Sequence, residues 1–444
     1  MMNSTTPICS VVVLNLILAV TGEALENPRA MRDLPGPRCK VRSFNLNAIR
    51  SCLDGQWQGI VAATDGKVYF AASTHSGREG GSVFRYEPGA GKLDLLIPDV
   101  TVACGEVPAV NPQGKMHSDF IEHKGWVYFA THFSSEFPGA HQTYTGAHVL
   151  GLEMASGRFR DFGAVHPGYT IYSGIGVDRG RDRIFAITEP ITEEQAAATN
   201  GGTHIYAIDI KSGEKRDLGL LNKAVHDSAS TFFVDAAGDC WFSLRSETGS
   251  LRRVNGATLA VDWFKDALPV SPDAVPWEDS NAMMWSRPIG DGSRCVFLKS
   301  DRWLWQFDSA RPLTNAFTRL AEVGPAGLGT ALGGDRVYFV RSADPKPRSG
   351  RYFDKRDDHH LYSVPVKGGV VTDHGLIEDA EGRRPWRIHS LAADEAGRVF
   401  MTGDWYCKTE TEGMKRYAGE KDGKPVFEQL RRGLFFAAWD PAAK

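Results

Sequence analysis

The chain has 444 residues, with 51 Lys and Arg against 54 Asp and Glu, a formal net charge of −3. That balance excludes wholesale nucleic-acid binding through a basic surface, and the length does not by itself divide the chain, because β-rich folds routinely run long as single domains. With 47 Gly, 23 Pro, 10% aromatics and few helix-period patterns, the composition describes short strands separated by many turns.

From the N-terminus, Ile8 to Val20 is an apolar run of signal-peptide length, too short to span a bilayer comfortably, and Gly22-Glu23-Ala24 supplies small residues for cleavage. Met1 to Pro7 contains no Lys or Arg where a basic region is usual. Residues 1–24 are read as a signal peptide, which makes the protein secreted or periplasmic. Once Cys9 is removed, Cys39, Cys52, Cys104, Cys240, Cys295 and Cys407 remain. An even number in an exported chain permits disulfides, but spacing does not give their pairing. Residues 25–56 form an N-terminal segment in which Val41-Arg-Ser-Phe44 can supply an outer strand to the last sheet, and 57–444 is read as one domain.

Strand-like pieces then recur in groups of four. Ile60 to Phe70, Ser82 to Tyr86 and Leu93 to Leu96 make the first group. Lys115 to His132 reads as a hairpin with a tight Lys124-Gly125 turn, and it continues into His148 to Leu152 and Phe159 to Phe162. Further groups begin at Tyr172, Ser230, Ala282, Thr330 and Arg387, giving seven sets at a period of roughly fifty residues. The expectation is an all-β, seven-bladed β-propeller forming a single domain. A sandwich or solenoid is the alternative, but a solenoid leaves open ends that need caps, whereas a ring leaves only short edges. The polar segments Glu193 to Gly202 and Pro345 to Asp358 read as surface loops.

In such a ring the start of each innermost strand and the end of the next one open on the same mouth. The first set of positions holds Gln58, His117, Tyr172, a residue near Ser230, Asn281 and His389. The second holds His75, His132, Arg245, Lys299, Arg341 and Asp404. A ring of His, Tyr, Arg and Lys is not what packing selects. His117, His132 and Tyr172 come from adjacent sets and Arg245 from the next, offering a proton carrier, a phenol and a cation to one ligand. Abstracting the proton beside a uronate carboxylate needs that combination. A base takes the proton, an acid protonates the departing glycosidic oxygen, and a cation neutralises charge on the carboxyl group. His serves either proton role near neutral pH, and Tyr does so when nearby positive charge lowers its pKa from about 10. Arg245, Arg341 and Arg387, with His389, are the candidate substrate-binding residues.

Gly114-Lys-Met-His117-Ser, Tyr128-Phe-Ala-Thr-His132 and Ile171-Tyr172-Ser-Gly-Ile-Gly-Val-Asp178 resemble the first blades of the seven-bladed propeller polysaccharide lyases. That group includes the ulvan lyases, the rhamnose-glucuronate lyases and, more distantly, the oligogalacturonate lyases. The resemblance implies a His and Tyr acid/base pair, an Arg as carboxylate neutraliser, and an acidic polysaccharide or oligosaccharide in the funnel. By motif, His117 and His132 match the two family histidines and Tyr172 the tyrosine. The chain departs from the pattern where the family's Arg is expected, because Ile187-Thr188-Glu189 stands there.

The expected function is cleavage of a uronate-containing glycan by β-elimination, with no cofactor needed for catalysis, no nucleic acid and no membrane as partner. The alternative is a non-catalytic carbohydrate-binding propeller, in which Trp285, Trp303, Trp386 and Trp405 would stack on sugars. No Ser-x-Asp-x-Gly-x-Thr-Trp box points to a sialidase and no Trp-Asp repeat ending points to a scaffold. His204, His226 and Cys240 are the candidates for a structural divalent cation, although their spacing follows no standard zinc pattern.

Overall fold

Runs such as Val68-Tyr-Phe-Ala-Ala72 have no polar position on either face, and all five of these residues are buried. Such strands need cover on both sides. Other runs, such as Lys215–Asn222, leave several side chains in solvent and fall at sheet edges. The computed structural model describes residues 34–107, 111–134, 140–225, 227, 231–270, 282–299, 303–323, 329–342, 358–421 and 424–442. The apolar N-terminal run, His226, Ser230, Asn281 and residues 345–357 lie outside the described residues. Leu34–Lys444 is one compact unit.

Strand β1 is Arg38–Asn45. Five antiparallel four-stranded sheets follow in chain order. The first holds β2 to β5 (Ile60–Ala62, Val68–Ala72, Ser82–Glu87, Lys92–Ile97), with the short helix α1 (Val100–Ala103) after it. The second holds β6 to β9 (Ile121–His123, Trp126–Ala130, His148–Glu153, Phe159–Ala164), and the third β10 to β13 (Ile175–Asp178, Arg183–Thr188, Thr203–Asp209, Lys215–Asn222). The fourth holds β14 to β17 (Phe233–Val234, Cys240–Phe242, Leu251–Val254, Val261–Phe264), and the fifth β18 to β21 (Met283–Ile289, Arg294–Lys299, Trp303–Asp308, Phe317–Glu322). The remaining main strands are β22 to β27 (Thr330–Gly333, Arg336–Ser342, His359–Pro365, Thr372–Asp379, Pro385–Ala393, Val399–Tyr406), the outlying hairpin β28 and β29 (Lys415–Lys421, Lys424–Gln429) and β30 (Arg432–Trp439).

The all-β propeller expectation holds, but its blade number does not. Among the described residues five four-stranded blades are present rather than seven, because the strands expected to make the sixth and seventh lie in one eight-stranded sheet ordered β22-β23-β24-β25-β1-β30-β27-β26. The physical reason is β1. Its first half pairs in parallel with β25, Arg38 opposite Leu376 through Val41 opposite Asp379, and its second half pairs antiparallel with β30, Arg42 opposite Ala438 through Asn45 opposite Phe435. One N-terminal strand therefore satisfies two edges and fuses them.

The core lies between sheets. Tyr69 and Val83 of the first blade pack with Val127, Phe129 and Leu150 of the second. Comparable clusters join each blade to the next, and Trp285 and Leu298 of the fifth meet Val337 and Phe339 of the eight-stranded sheet. Closure comes where Phe70 and Phe84 of the first blade pack with Phe400 and Phe436 of that sheet. Phe70 lies face to face with Phe436 at 4.6 Å between ring centroids and with Phe84 at 5.2 Å.

The turn of the hairpin whose open end carries His117 and His132 is local chemistry. Lys124 and Gly125 both have positive φ, +48° and +78°, the conformation that lets a two-residue hairpin follow strand twist. The segment read as a loop from Glu193 contains a helical turn, Glu193–Ala197, which the Thr192 side chain caps reciprocally with Gln195. Among the described residues, no helix is long and apolar enough to cross a membrane.

Candidate functional site

Three isolated backbone bridges continue the inner strand pairs of the first three blades: Gly55 with Ser73, Lys115 with His132, and Thr170 with Glu189. In the eight-stranded sheet Arg387 stands opposite Asp404 in the same manner. Two residues past the first member of each pair come Trp57, His117, Tyr172 and His389. His117 and Tyr172 follow their bridges by simple alternation, whereas the chain is irregular at Gln58, which has φ +46°, and bulged between Ile388 and Ser390.

Their rings meet. Trp57 stacks on His117 at 4.4 Å and 24°, and lies edge-on to His389 at 5.8 Å and to His75 at 5.4 Å. His117 meets Tyr172 and His132 edge-on, each at 4.6 Å, and His132 is 5.4 Å from Tyr172. The Arg245 guanidinium sits 5.0 Å over the Tyr172 ring. The structure thus brings together His117, His132, Tyr172, Arg245 and His389 from the sequence-selected set.

Depth separates them into two layers. Tyr172, Arg245, Trp57 and His75 are half-buried, whereas His117, His132, His389, Lys115 and Glu189 are buried. His132 Nδ1 lies 2.6 Å from Thr170 Oγ1, which fixes that ring. Both ring nitrogens of His117 are shut from solvent and have no hydrogen-bond partner among the described residues. A buried imidazole with two unmet polar atoms is costly, and Trp57 is what covers it. Gly55 makes that cover possible, since a Cβ there would stand 2.6 Å from the Trp57 ring. Trp57→Ala is accordingly expected to raise the rate at which diethyl pyrocarbonate modifies His117 severalfold, read by peptide mapping. An unchanged rate would show that something other than the indole shields it.

The other two arginines already have protein partners. Arg387 pairs with Asp404 at 3.1 Å, and the same carboxylate takes His389 Nε2 at 3.1 Å. Arg341 stacks 4.4 Å over Tyr362 and donates to the Val323 carbonyl at 3.2 Å. Lys299 is buried and donates to the Pro269 carbonyl. Glu189 occupies, opposite Thr170, the register position that His132 occupies opposite Lys115, so an acidic residue stands where the resemblance leads one to expect the neutralising arginine.

No protein-family model matches the chain, and no curated protein sequence does. Solved structures are similar in fold. An oligogalacturonate lyase from Vibrio parahaemolyticus has a TM-score of 0.50 at 12% identity, over 91% of this chain and 95% of that one. A chain of the mitotic checkpoint complex has a TM-score of 0.50 at 8% identity, over 93% and 98% respectively. The RRP9 WD40 repeats match at 0.48 and 10% identity, over 91% and 99%. The shared property is the β-propeller fold.

Within this propeller, Trp57 is the site residue that sequence reasoning passed over. The adjacent Gln58 was expected at that position, but Gln58 has φ +46°, and the irregular backbone places Trp57 against His117 instead. The tryptophans expected to hold sugars divide differently. Trp285 and Trp405 are buried packing residues, Trp303 lies under Arg319 at 4.2 Å, and Trp386 lies under Arg432 at 3.9 Å. None of the six described cysteines is in a disulfide. Of the residues named for a cation, Cys240 is fully buried and His204 is paired with Asp217 at 3.0 Å.

Three imidazoles around the mouth, His117, His389 and His75, share an electrostatic signature. Burial, reinforced by Lys115, His75, Arg245 and His389, holds His117 well below the usual imidazole range. Burial and Arg387 push His389 down to about 4 against the pull of Asp404. Burial also lowers His75, although Asp54 beside it opposes the shift. Burial alone would raise the Asp404 carboxyl, but Arg387 and His389 outweigh it and hold the group well below the usual carboxylate range. As the pH falls below about 6.5, the unfolded chain binds protons that the folded imidazoles refuse. Stability from these groups is complete above about pH 6.5 and is lost as pH falls toward their folded pKa values. The denaturant midpoint is expected to decline from about pH 6.5 to 4, each imidazole contributing up to about 1.4 kcal/mol per pH unit. A midpoint that is flat or rises over that window contradicts these burial shifts.

Proposed function

We propose that the chain is a polysaccharide lyase that cleaves a uronate-containing glycan by β-elimination. The observation that carries this reading is the convergence of Tyr172, Arg245 and His117 at one mouth, with the phenol half-exposed, a guanidinium 5.0 Å above its ring and a neutral imidazole 4.6 Å beside it.

The difference in exposure supports one division of roles. Tyr172 is the proton carrier that reaches substrate. Its ionised oxygen takes the proton from the carbon beside the carboxylate, the C–H electrons form the ring double bond, and the bond to the glycosidic oxygen breaks. The same hydroxyl then returns the proton to the departing oxygen. Arg245 pairs with the uronate carboxylate, where negative charge builds, and its position over the ring also stabilises charge on the phenol oxygen. His117 acts from below while Trp57 covers it and takes part in proton transfer when the indole swings aside; His132, tied to Thr170, orients it.

The second reading, a sugar-binding propeller without catalysis, draws on Glu189, which puts a carboxyl group at the register position opposite Thr170. Mass spectrometry of the products separates the two. Elimination gives a fragment lighter by one water than hydrolysis gives, and its yield should fall when the glycan's carboxyl groups are reduced to alcohols. Intact glycan retained by the protein would support the binding reading and end the catalytic one.

A further inference from the structure

Three sheets repeat one pairing: a His on the third strand meets an Asp thirteen residues later on the fourth. His148 Nδ1 meets Asp161 at 2.8 Å, His204 Nδ1 meets Asp217 at 3.0 Å, and His360 Nδ1 meets Asp373 at 3.0 Å. In each case the Asp also accepts from the backbone of a positive-φ glycine two residues on, Gly163, Gly219 or Gly375. The pair is a structural device of the fold, clamping a bulged fourth strand to the third.

The second blade adds to it. There Cys104 Sγ, a His148 ring nitrogen and an Asp161 carboxylate oxygen all lie within 4.8 Å of one another. Glu106 Oε1 takes His148 Nε2 at 2.9 Å. Among the described residues, the corresponding position in the third blade offers His204 Nε2 only the Asn200 carbonyl at 3.3 Å, and His360 stacks on Tyr362. The thiol and second carboxylate are therefore not required by the repeat.

We infer that Cys104, His148 and Asp161 form a site for zinc or a similar divalent transition metal, with Glu106 as the outer carboxylate that orients His148. Thiolate, imidazole and carboxylate together suit zinc, while the sulfur disfavours calcium and magnesium. Ligand atoms around a tetrahedral zinc stand roughly 3.3–3.8 Å apart, so closure of about 1 Å from the present geometry suffices. On binding, Nδ1 gives up the proton it shares with Asp161 and takes the metal, Nε2–H still donates to Glu106, and the Nδ1 proton and the Cys104 thiol proton are both released to solvent.

The clamp reaches the mouth through one side chain. Gln113 Nε2 donates to Glu106 Oε2 at 2.9 Å, and Gln113 Oε1 accepts from Thr131 and Tyr144 at 2.7 Å each. Gln113 and Thr131 lead directly into Lys115 and His132, so the ion would tie the segment after α1 to the hairpin that carries both site histidines.

The test uses full-length protein stripped with a chelator and titrated with zinc against a chromophoric competitor, and with cobalt followed by absorbance. One equivalent of zinc and a thiolate-to-cobalt charge-transfer band are expected. Cys104→Ser should abolish the band, Glu106→Gln should weaken zinc binding about 10–100-fold, and His204→Ala should leave it unchanged. Absence of stoichiometric zinc binding by the wild type, or a band that persists in Cys104→Ser, overturns the site.

Discussion

Tyr172→Phe is expected to reduce turnover of a uronate-containing glycan at least about a hundredfold, the lower range for loss of a positioned proton carrier. The substitution removes one oxygen and leaves the ring, so the contacts with His117 and His132 and the seat beneath Arg245 remain. Stability and glycan affinity should therefore hardly change while kcat collapses. Arg245→Ala should behave differently, weakening binding as well as turnover, because its charge meets the carboxylate both before and during the reaction. Retention of activity by Tyr172→Phe would move the proton transfer to another group and require Trp57 to open over His117.

Phe436→Ala is expected to cost about 3–5 kcal/mol of folding stability, as large aromatic deletions from sealed cores do. Phe436 is fully buried and stacks on Phe70 at 4.6 Å, so the lost volume lies in the seam between the first blade and the eight-stranded sheet. Phe44 of β1 lies 6.2 Å from the same ring, which ties the N-terminal strand to that seam. Phe317→Ala, on a half-buried edge strand, should cost clearly less. Chemical denaturation of both variants checks this, and equal losses would mean that the seam does not carry closure.

The strand pieces were legible because inner strands such as Val68–Ala72 are continuous apolar runs between Gly-rich turns, and the Lys124-Gly125 turn is a strong local signal. Blade number was not legible. Strand periodicity counts strands, whereas the pairing of β1 with both β25 and β30 depends on contacts more than 330 residues apart in sequence. In the site, His117, His132 and Tyr172 could be placed because their bridges preserve period-two alternation. Trp57 could not, since the positive φ at Gln58 interrupts that alternation. Arg341 and Arg387 resembled substrate ligands in sequence because charge can be read there but partners cannot. Tyr362 and Asp404 become visible as those partners only in the folded sheet. The Cys104, His148, Asp161 and Glu106 cluster was missed for the same reason: its members come from a helix end and two strands and follow no ligand spacing.

The most direct test of the catalytic account is ultraviolet absorbance during incubation with a panel of uronate-containing polysaccharides, run for the wild type and Tyr172→Phe side by side. A growing absorbance from an unsaturated uronate, abolished in the variant, is the result the account predicts. No absorbance change on any acidic glycan, with wild type and variant binding it equally, would contradict elimination at this mouth and leave a sugar-binding propeller.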